Sequence, residues 1–322
     1  MCLYSRFITN RKYIPNKKNR GIIPPFNDPR VLKVPIGCGN CIECKKQKAR
    51  SWQIRLTEEI RTNTNGKFIT LTFSNESIKN LINDHKELQN TKGYKLDNSI
   101  ATKATRLFLE RWRKHYKKSL RHWLITELGH NGTENIHLHG IIWTNEQYST
   151  IAKHWQYGYI WPRPDKHHKT YVNEKTINYI IKYVTKLDIQ HKYYKNIILS
   201  SPGIGNTFLN NPNTKRNQFN ETKTIETYKT RNGNEIALPI YFRNKLYTDA
   251  QREKLWLQKL DKNERWICGE MVPSSNIKQY FKLLNWYRRI NAELGYGDNT
   301  KEWDKELYEN HLREIQYAKR TK

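Results

Sequence analysis

The stretch ENIHLHGIIW, residues 134–143, predicts a central β-strand of this protein. Side chains alternate between the two faces of a strand, so His137 and His139 lie side by side on one face. The opposite face carries three apolar side chains: Ile136, Leu138 and Ile142. Two imidazoles on a solvated strand face are also consistent with no function, because short patterns recur by chance. Neighbouring segments must therefore decide what the histidines do.

A second strand is predicted directly before this one, by HWLITELG at residues 122–129. The Asn-Gly pair that follows it is typical of a hairpin turn, and a turn centred there places Glu127 opposite His137. Two imidazoles and one carboxylate can bind a divalent cation and leave coordination positions open for substrate oxygens. The sequence thus predicts that Glu127, His137 and His139 bind a metal. The alternative is an exposed carboxylate on a solvated strand.

A helix is predicted over residues 173–188, NEKTINYIIKYVTKLD, with Asn173 as its N-cap. Its apolar side chains form one stripe that is expected to pack on the sheet: Ile177, Ile180, Ile181, Val184 and Leu187. Tyr179 and Tyr183 lie off this stripe. They are four residues apart, so they project from the same side of the helix.

The two tyrosines are predicted to be nucleophiles. Each has a lysine three residues further on, at Lys182 and Lys186. A phenol with a pKa of about 10 is a poor nucleophile at neutral pH, but beside a cation and a metal-bound phosphate it can form a covalent phosphotyrosine. We therefore expect Tyr179, Tyr183 and Lys182 to be catalytic. Tyrosines that only pack in the core or cover the surface are the competing interpretation.

The charge of the chain indicates a polyanionic partner. There are 58 Lys and Arg residues against 30 Asp and Glu residues, which gives a net charge of +28, and 20 Tyr and 10 Trp residues are interleaved with them. Cations neutralise phosphates and aromatic rings stack on unpaired bases, so nucleic acid is favoured over a membrane surface or a generic basic protein. No segment is apolar enough for a signal peptide or a membrane span. The protein is expected to stay in the compartment that makes it.

Five cysteines, an odd number, argue against a disulfide framework. Cys38, Cys41 and Cys44 have C-x2-C-x2-C spacing, and Cys2 can supply the fourth thiolate of a structural zinc site. The same spacing begins an iron–sulfur motif, but the next cysteine and proline of that motif are missing. Three thiols without a metal remain the alternative. Cys268 is expected to be a buried thiol.

The fold class predicted is α+β: an antiparallel sheet flanked by helices, with an N-terminal Cys-rich arm and a helical C-terminal region. The division expected is a Cys-rich arm and basic helix at 1–66, a catalytic core at 67–200 and an accessory region at 201–322. Strands are also predicted at 67–73 and 235–242. The other predicted helices cover residues 41–62, 102–120, 246–260, 275–291 and 301–318.

Three motifs in order resemble those of the HUH rolling-circle endonucleases: FITLTF at 68–73, IHLHGIIW at 136–143 and YIIKYVTK at 179–186. The two-tyrosine form is similar to the gene A-like replication initiation proteins of microviruses, the small single-stranded-DNA phages, and of the gokushovirus-like group in particular. The segments MCLY, CGNCIEC, SSPGIG and LPIYFRNKL are similar to parts of that group as well, so the resemblance covers most of the chain.

The resemblance implies a mechanism. One tyrosine would nick origin DNA, stay attached to the 5′ phosphate and leave a 3′ hydroxyl, and the other would cut again so that the ends rejoin as a circle. The implied ion at the histidines is Mg²⁺ or Mn²⁺. The implied partners are single-stranded DNA, origin DNA and the host polymerase and helicase, in the host cell cytoplasm. A non-catalytic nucleic-acid-binding or packaging protein, and a metal hydrolase that uses water, remain alternatives.

Overall fold

A computed structural model describes residues 2–130, 134–165, 171–298, 300 and 303–321. The predicted Asn131-Gly132 turn lies outside the described residues. The strands are β1 (Arg6–Thr9), β2 (Lys33–Ile36), β3 (Gly66–Leu71), β4 (Arg121–Leu128), β5 (Ile136–Trp143), β6 (Ile160–Trp161), β7 (Ile198–Ser200), β8 (Thr227–Lys229), β9 (Glu235–Ala237), β10 (Glu264–Ile267) and β11 (Glu270–Pro273). The helices are α1 (Ile42–Thr62), α2 (Asn75–Asp84), α3 (Lys86–Gln89), α4 (Gly93–Tyr116), α5 (Tyr148–Trp155), α6 (Glu174–Thr185), α7 (Ile240–Leu246), α8 (Asp249–Asp261), α9 (Ile277–Glu293) and α10 (Trp303–Thr321).

These elements form two compact units, and each unit is built from two separate stretches of the chain. Unit 1 contains residues 1–54 and 207–300, and unit 2 contains residues 55–206 and 301–322. The sequence-based division used three consecutive segments, and as a division into functional parts it stays a prediction. A long loop between the two halves of a unit must be closed during folding, which costs chain entropy.

Unit 2 is built on a five-stranded antiparallel sheet with the order β6-β3-β5-β4-β7. The histidine strand β5 lies at its centre. Gly140, next to His139, is required there, because a Cβ at this position would lie 2.0 Å from the carbonyl oxygen of Trp123 and 2.8 Å from the Cα of Leu124. Glycine thus permits a close approach of β4 beside the histidines.

The apolar face of β5 is buried as the alternation predicts. Ile136, Leu138 and Ile142 belong to one core with α4 and α5, which contribute among others Ile100, Ala104, Phe108, Ile151 and Trp155. The histidines occupy the other face of the strand, and α6 contacts β4 there. The predicted fold class, a mixed α+β protein with helices flanking an antiparallel sheet, is confirmed.

Helix α6 forms as the sequence predicts. The Asn173 side chain accepts a hydrogen bond of 3.0 Å from the Thr176 backbone N–H, and the Thr176 side chain accepts one in return. This capping box supplies partners for N–H groups that the first helical turn leaves unpaired. The apolar stripe of the helix is buried: Ile177, Ile180, Ile181 and Val184.

A buried carboxylate in unit 2 explains the SSPGIG segment. Glu59 is fully buried at the end of α1 and forms an ion pair with Arg121, the first residue of β4, with Oε2 2.7 Å from Nη2. The same carboxylate accepts a hydrogen bond of 2.7 Å from the backbone N–H of Gly205. Because a buried carboxylate is costly unless it is paired, this network fixes where β4 begins.

Helix α10 completes unit 2 through a second buried ion pair. Arg313 is 1% exposed and Asp97, on α4, is fully buried; their closest atoms, Nη2 and Oδ1, are 3.0 Å apart. Arg313 also contacts the Glu134 carboxylate at 3.2 Å and donates to its backbone oxygen at 2.8 Å. Residues 313 and 97 are far apart in sequence, so this contact depends on the tertiary fold.

Unit 1 is organised around three two-stranded antiparallel ribbons, β1-β2, β8-β9 and β10-β11. One of its cores consists of Ile54, Phe208, Tyr228, Leu238 and Phe242. Residues 6–9 and 33–36 of the expected Cys-rich arm pair as strands. The predicted strand at 235–242 is wrong beyond residue 237, because Pro239 begins helix α7, where its missing N–H has no cost. None of the helices in the described ranges combines the length and apolar character that a membrane crossing requires.

Candidate active site

The hairpin β4-β5 presents the predicted metal ligands. Glu127 is the register partner of His137, as the turn arithmetic predicts. Its carboxylate turns to the next imidazole, with Oε2 2.9 Å from Nε2 of His139. The other ring nitrogen of His139 lies 3.0 Å from the hydroxyl of Thr70, the residue paired with it on β3. Thr70 therefore fixes the orientation of the ring, so that Nε2 faces the carboxylate.

The carboxylate of Glu127 is charged at neutral pH. Burial alone would raise its pKa, but the hydrogen bonds from His139 and Lys186 outweigh burial and hold the pKa of Glu127 below its ordinary value. Lys186, just beyond α6, forms an ion pair with Oε1 of the same carboxylate. An ammonium group thus already occupies one side of the carboxylate, which fits a site that attracts cations.

The donor set fits a divalent cation. Burial, with the neighbouring charge of His139, lowers the pKa of His137, so its imidazole is neutral near pH 7 and keeps a lone pair for a metal. The two histidine rings are 6.3 Å apart and inclined by 22°. The donor atoms of Glu127, His137 and His139 do not all lie within 4.8 Å of one another, so a shared ion requires side-chain rotation.

Both tyrosines of α6 face this hairpin. The ring of Tyr183 stacks on His139, with centroids 4.4 Å apart and planes inclined by 10°. The hydroxyl of Tyr179 is 3.1 Å from that of Tyr183. Tyr179 is 49% exposed and contacts Phe68 of β3 edge to face at 5.8 Å. Two phenols, two imidazoles and a carboxylate therefore share one solvent-accessible face.

Tyr183 is protonated at neutral pH. Burial raises its pKa first, and the hydrogen bond and charge of Tyr179 and the charge of Glu127 raise it further. A phenol with a raised pKa attacks only when a positive charge stabilises the phenolate. Any reaction at this residue therefore needs a cation nearby.

The lysine that approaches the tyrosines is Lys186. Its ammonium lies 5.9 Å from the ring centroid of Tyr183 in addition to its ion pair with Glu127. Lys182, the lysine that the sequence favours, is exposed, and its ammonium makes no hydrogen bond or ion pair with any residue in the described ranges. The three-residue spacing is the same for both, so spacing alone could not distinguish them.

The four cysteines Cys2, Cys38, Cys41 and Cys44 converge in unit 1. Their sulfur atoms all lie within 4.8 Å of one another. Two backbone N–H groups donate to these sulfurs, from Cys38 to Cys2 at 3.2 Å and from Cys41 to Cys38 at 3.3 Å. The hydrogen bond from Cys44 lowers the pKa of Cys41 to about 4, against the effect of burial. This donor set fits a structural zinc ion.

Cys268 is half-buried rather than buried, and it packs beside the thiol cluster. Burial raises its pKa to about 12. It lies outside the set of four converging sulfurs.

A further group of metal-type donors, which the sequence did not predict, lies in unit 2. Donor atoms of His130, Asp188 and His191 lie within 4.8 Å of one another. This group and the thiol cluster are the two such sets among the described residues. Isolated histidines and an aspartate give no local pattern, so the tertiary fold is needed to find them.

Residues 66–188, which contain the hairpin and both tyrosines, match the family model described as Replication-associated protein ORF2. The match indicates a replication-associated protein. A search of curated proteins and a search of solved structures found no match.

Proposed function

We propose that this protein initiates replication of a small DNA genome by nicking and rejoining DNA through Tyr179 and Tyr183. The observation that carries the proposal is the stacking of Tyr183 on His139 at 4.4 Å, with the Tyr179 hydroxyl 3.1 Å from that of Tyr183. Two phenols then stand one helical turn apart beside one predicted metal site. The match of residues 66–188 to a replication-associated family supports the same function.

In the proposed reaction a tyrosine oxygen attacks the phosphorus of one phosphodiester. The new O–P bond forms as the bond from phosphorus to the 3′ oxygen breaks, which leaves a 5′ phosphotyrosine and a free 3′ hydroxyl. Tyr179 is the more exposed phenol, and the Tyr183 hydroxyl can donate a hydrogen bond to its oxygen as the proton leaves. The second phenol can repeat the attack at the regenerated junction, so that the free 3′ end closes the circle.

The residues around the phenols would supply charge and orientation. Glu127, His137 and His139 would hold Mg²⁺ or Mn²⁺, which polarises the phosphodiester and stabilises charge at phosphorus. The Lys186 ammonium is close enough to Tyr183 to stabilise a phenolate after it leaves Glu127. The sequence favoured Lys182 for this role, and the exposed position of Lys182 makes Lys186 the stronger candidate.

The proposed setting is that of a microvirus-like replication initiator of the HUH type. Its DNA partner would be single-stranded or origin DNA, bound in part by the charge of +28. The free 3′ hydroxyl would be extended by the host polymerase, with a host helicase opening the duplex, in the host cell cytoplasm. The thiol cluster would hold a structural Zn²⁺.

The test is covalent capture. The full chain is incubated with Mn²⁺ and a pool of 3′-labelled single-stranded oligonucleotides of random sequence, followed by a denaturing gel. We expect label that migrates with the protein, and a peptide containing Tyr179 or Tyr183 that carries a 5′ phosphate by mass spectrometry. DNA bound but intact would indicate the packaging alternative, and cleaved DNA free of protein would indicate hydrolysis by water.

A further inference from the structure

We propose a second metal site in unit 2, in which His130, Asp188 and His191 bind an ion of the zinc class. Their donor atoms lie within 4.8 Å of one another. His130 follows β4, whereas Asp188 and His191 follow α6. The site shares no ligand with Glu127, His137 and His139. An ion here would join the end of the tyrosine helix to the histidine hairpin.

The chemistry of the donors suits such an ion. Two imidazole nitrogens and one carboxylate oxygen are ligands that Zn²⁺ and its neighbours in the first transition row accept. His191 Nδ1 is 2.9 Å from Asp188 Oδ2, and His130 Nδ1 is 3.8 Å from Asp188 Oδ1. Ligand atoms around one tetrahedral zinc are roughly 3.4 Å apart. A modest rotation of His130 away from Gln190, its partner at 3.1 Å, would close the set.

The turn from Asp188 to His191 is already organised. Asp188 Oδ1 accepts hydrogen bonds from the backbone N–H groups of Gln190 and His191, at 3.1 and 2.9 Å. These bonds hold the carboxylate and the imidazole, three residues apart, on the same side of the turn. Two of the three ligands therefore need no large movement to bind an ion.

The opposite nitrogen of His191 has the partner that metal-binding histidines usually have. Nε2 lies 3.2 Å from Oε2 of Glu134, and Arg313 holds the same oxygen at 3.2 Å. A histidine that binds a metal through one nitrogen commonly donates its other N–H to a carboxylate. With Nε2–H directed to Glu134, the Nδ1 lone pair faces the Asp188 carboxylate, which is repulsive unless a cation lies between them.

The local charge also calls for a cation. Three carboxylates, Asp97, Glu134 and Asp188, surround His191, and the guanidinium that pairs with two of them is that of Arg313. His191 is 5% exposed, so water screens these charges weakly. A divalent ion between His191 and Asp188 would balance them. The His130 side chain is 35% exposed, which leaves a path from solvent and room for a water ligand.

Metal content tests the proposal. The full chain is loaded with Zn²⁺, dialysed against a weak chelator and analysed for zinc per chain by mass spectrometry. We expect His130→Ala and Asp188→Asn each to hold one zinc fewer than the wild type. His311→Ala, which removes an exposed histidine of α10, should match the wild type. Cys41→Ser should lose a different ion and keep this one.

Equal zinc in the wild type, His130→Ala and Asp188→Asn would overturn the site and leave a hydrogen-bonded turn. A thermal measurement supports the count: added Zn²⁺ should raise the Tm of Cys41→Ser but not that of Cys41→Ser combined with His130→Ala. His130 is half-exposed with one side-chain hydrogen bond, so its removal leaves the fold intact. The role in holding the tyrosine helix rests on the proposed function, but the zinc count does not depend on DNA cleavage.

Discussion

The thiol cluster of unit 1 and the histidine–tyrosine site of unit 2 hold metal-type donors in different ways. The four thiols of the cluster are alike and converge to within 4.8 Å, and backbone N–H groups bond their sulfurs. The donors of the hairpin differ in kind, do not converge fully, and share their carboxylate with Lys186. One set is closed around a centre, whereas the other is open on the side of the tyrosines.

The difference separates stability from chemistry. A structural zinc site uses all its coordination positions for protein ligands, whereas a catalytic site keeps one or more positions for substrate. We therefore expect changes in the thiol cluster to affect folding and changes at the hairpin to affect reaction. The variants below test this division, in order of their expected effect on formation of the covalent adduct.

The largest effect is expected for removal of both phenols. Tyr179→Phe combined with Tyr183→Phe should lower adduct formation by about 10⁴-fold or more, because no nucleophilic oxygen remains. Each single variant should still form some adduct from the remaining phenol. Adduct is measured as label retained on protein in a denaturing gel. Tyr159→Phe, at a highly exposed tyrosine, is the control. Attachment by the double variant would show that both tyrosines are structural.

Loss of a hairpin imidazole is expected to have the next largest effect. His139→Ala or His137→Ala should slow adduct formation by about 10³-fold, because the charge that develops at phosphorus loses its stabilising ion. DNA affinity in a filter-binding assay should change little, since the positive surface remains. His311→Ala should behave as the wild type. Full cleavage by His139→Ala would remove the metal interpretation.

The two lysines give a sharper comparison within the same site. Lys186→Met should slow adduct formation by roughly tenfold to a hundredfold, because it removes the cation beside Tyr183 and Glu127. Lys182→Met, one helical turn earlier and exposed, should stay within about twofold of the wild type. Single-turnover rates with excess protein measure both. The reverse order would restore Lys182 as the catalytic lysine.

The smallest effect on chemistry is expected at the thiols. Cys41→Ser should remove one zinc and destabilise unit 1 by about 4 kcal/mol or more, because metal binding contributes directly to folding. Adduct formed per folded molecule should remain within about twofold of the wild type. Limited proteolysis with mapped fragments locates the loss of structure, and Cys268→Ser is the matched control. Wild-type zinc and wild-type proteolysis in Cys41→Ser would exclude a metal in the cluster.

Local patterns in the sequence predicted those parts of the site that local geometry determines. The alternation of β5 and the turn before it predict the pairing of Glu127 with His137, because a hairpin register follows from its turn. The cap at Asn173 and the stripe of α6 predict which side of the helix carries Tyr179 and Tyr183. Each of these inferences uses residues that are close together in sequence.

Contacts between distant segments could not be predicted in this way. Thr70 reaches His139 because β3 is the neighbour of β5, and strand order is not written in either strand. His191 meets His130 only after α6 has packed. The strand predicted at 235–242 failed for another reason: Tyr241 and Phe242 are typical of strands, but the buried side of a short helix uses Phe242 equally well.

The ion pair between Asp97 and Arg313 has a consequence for synthesis on the ribosome. A nascent chain of 206 residues already contains all five strands of the sheet in unit 2, yet Asp97 still lacks its guanidinium. Residues 207–300, which belong to unit 1, must be made before α10 emerges. A buried carboxylate without its partner is costly, so the sheet waits for α10 while the other unit is translated. The order of translation thus places completion of the tyrosine-bearing unit last.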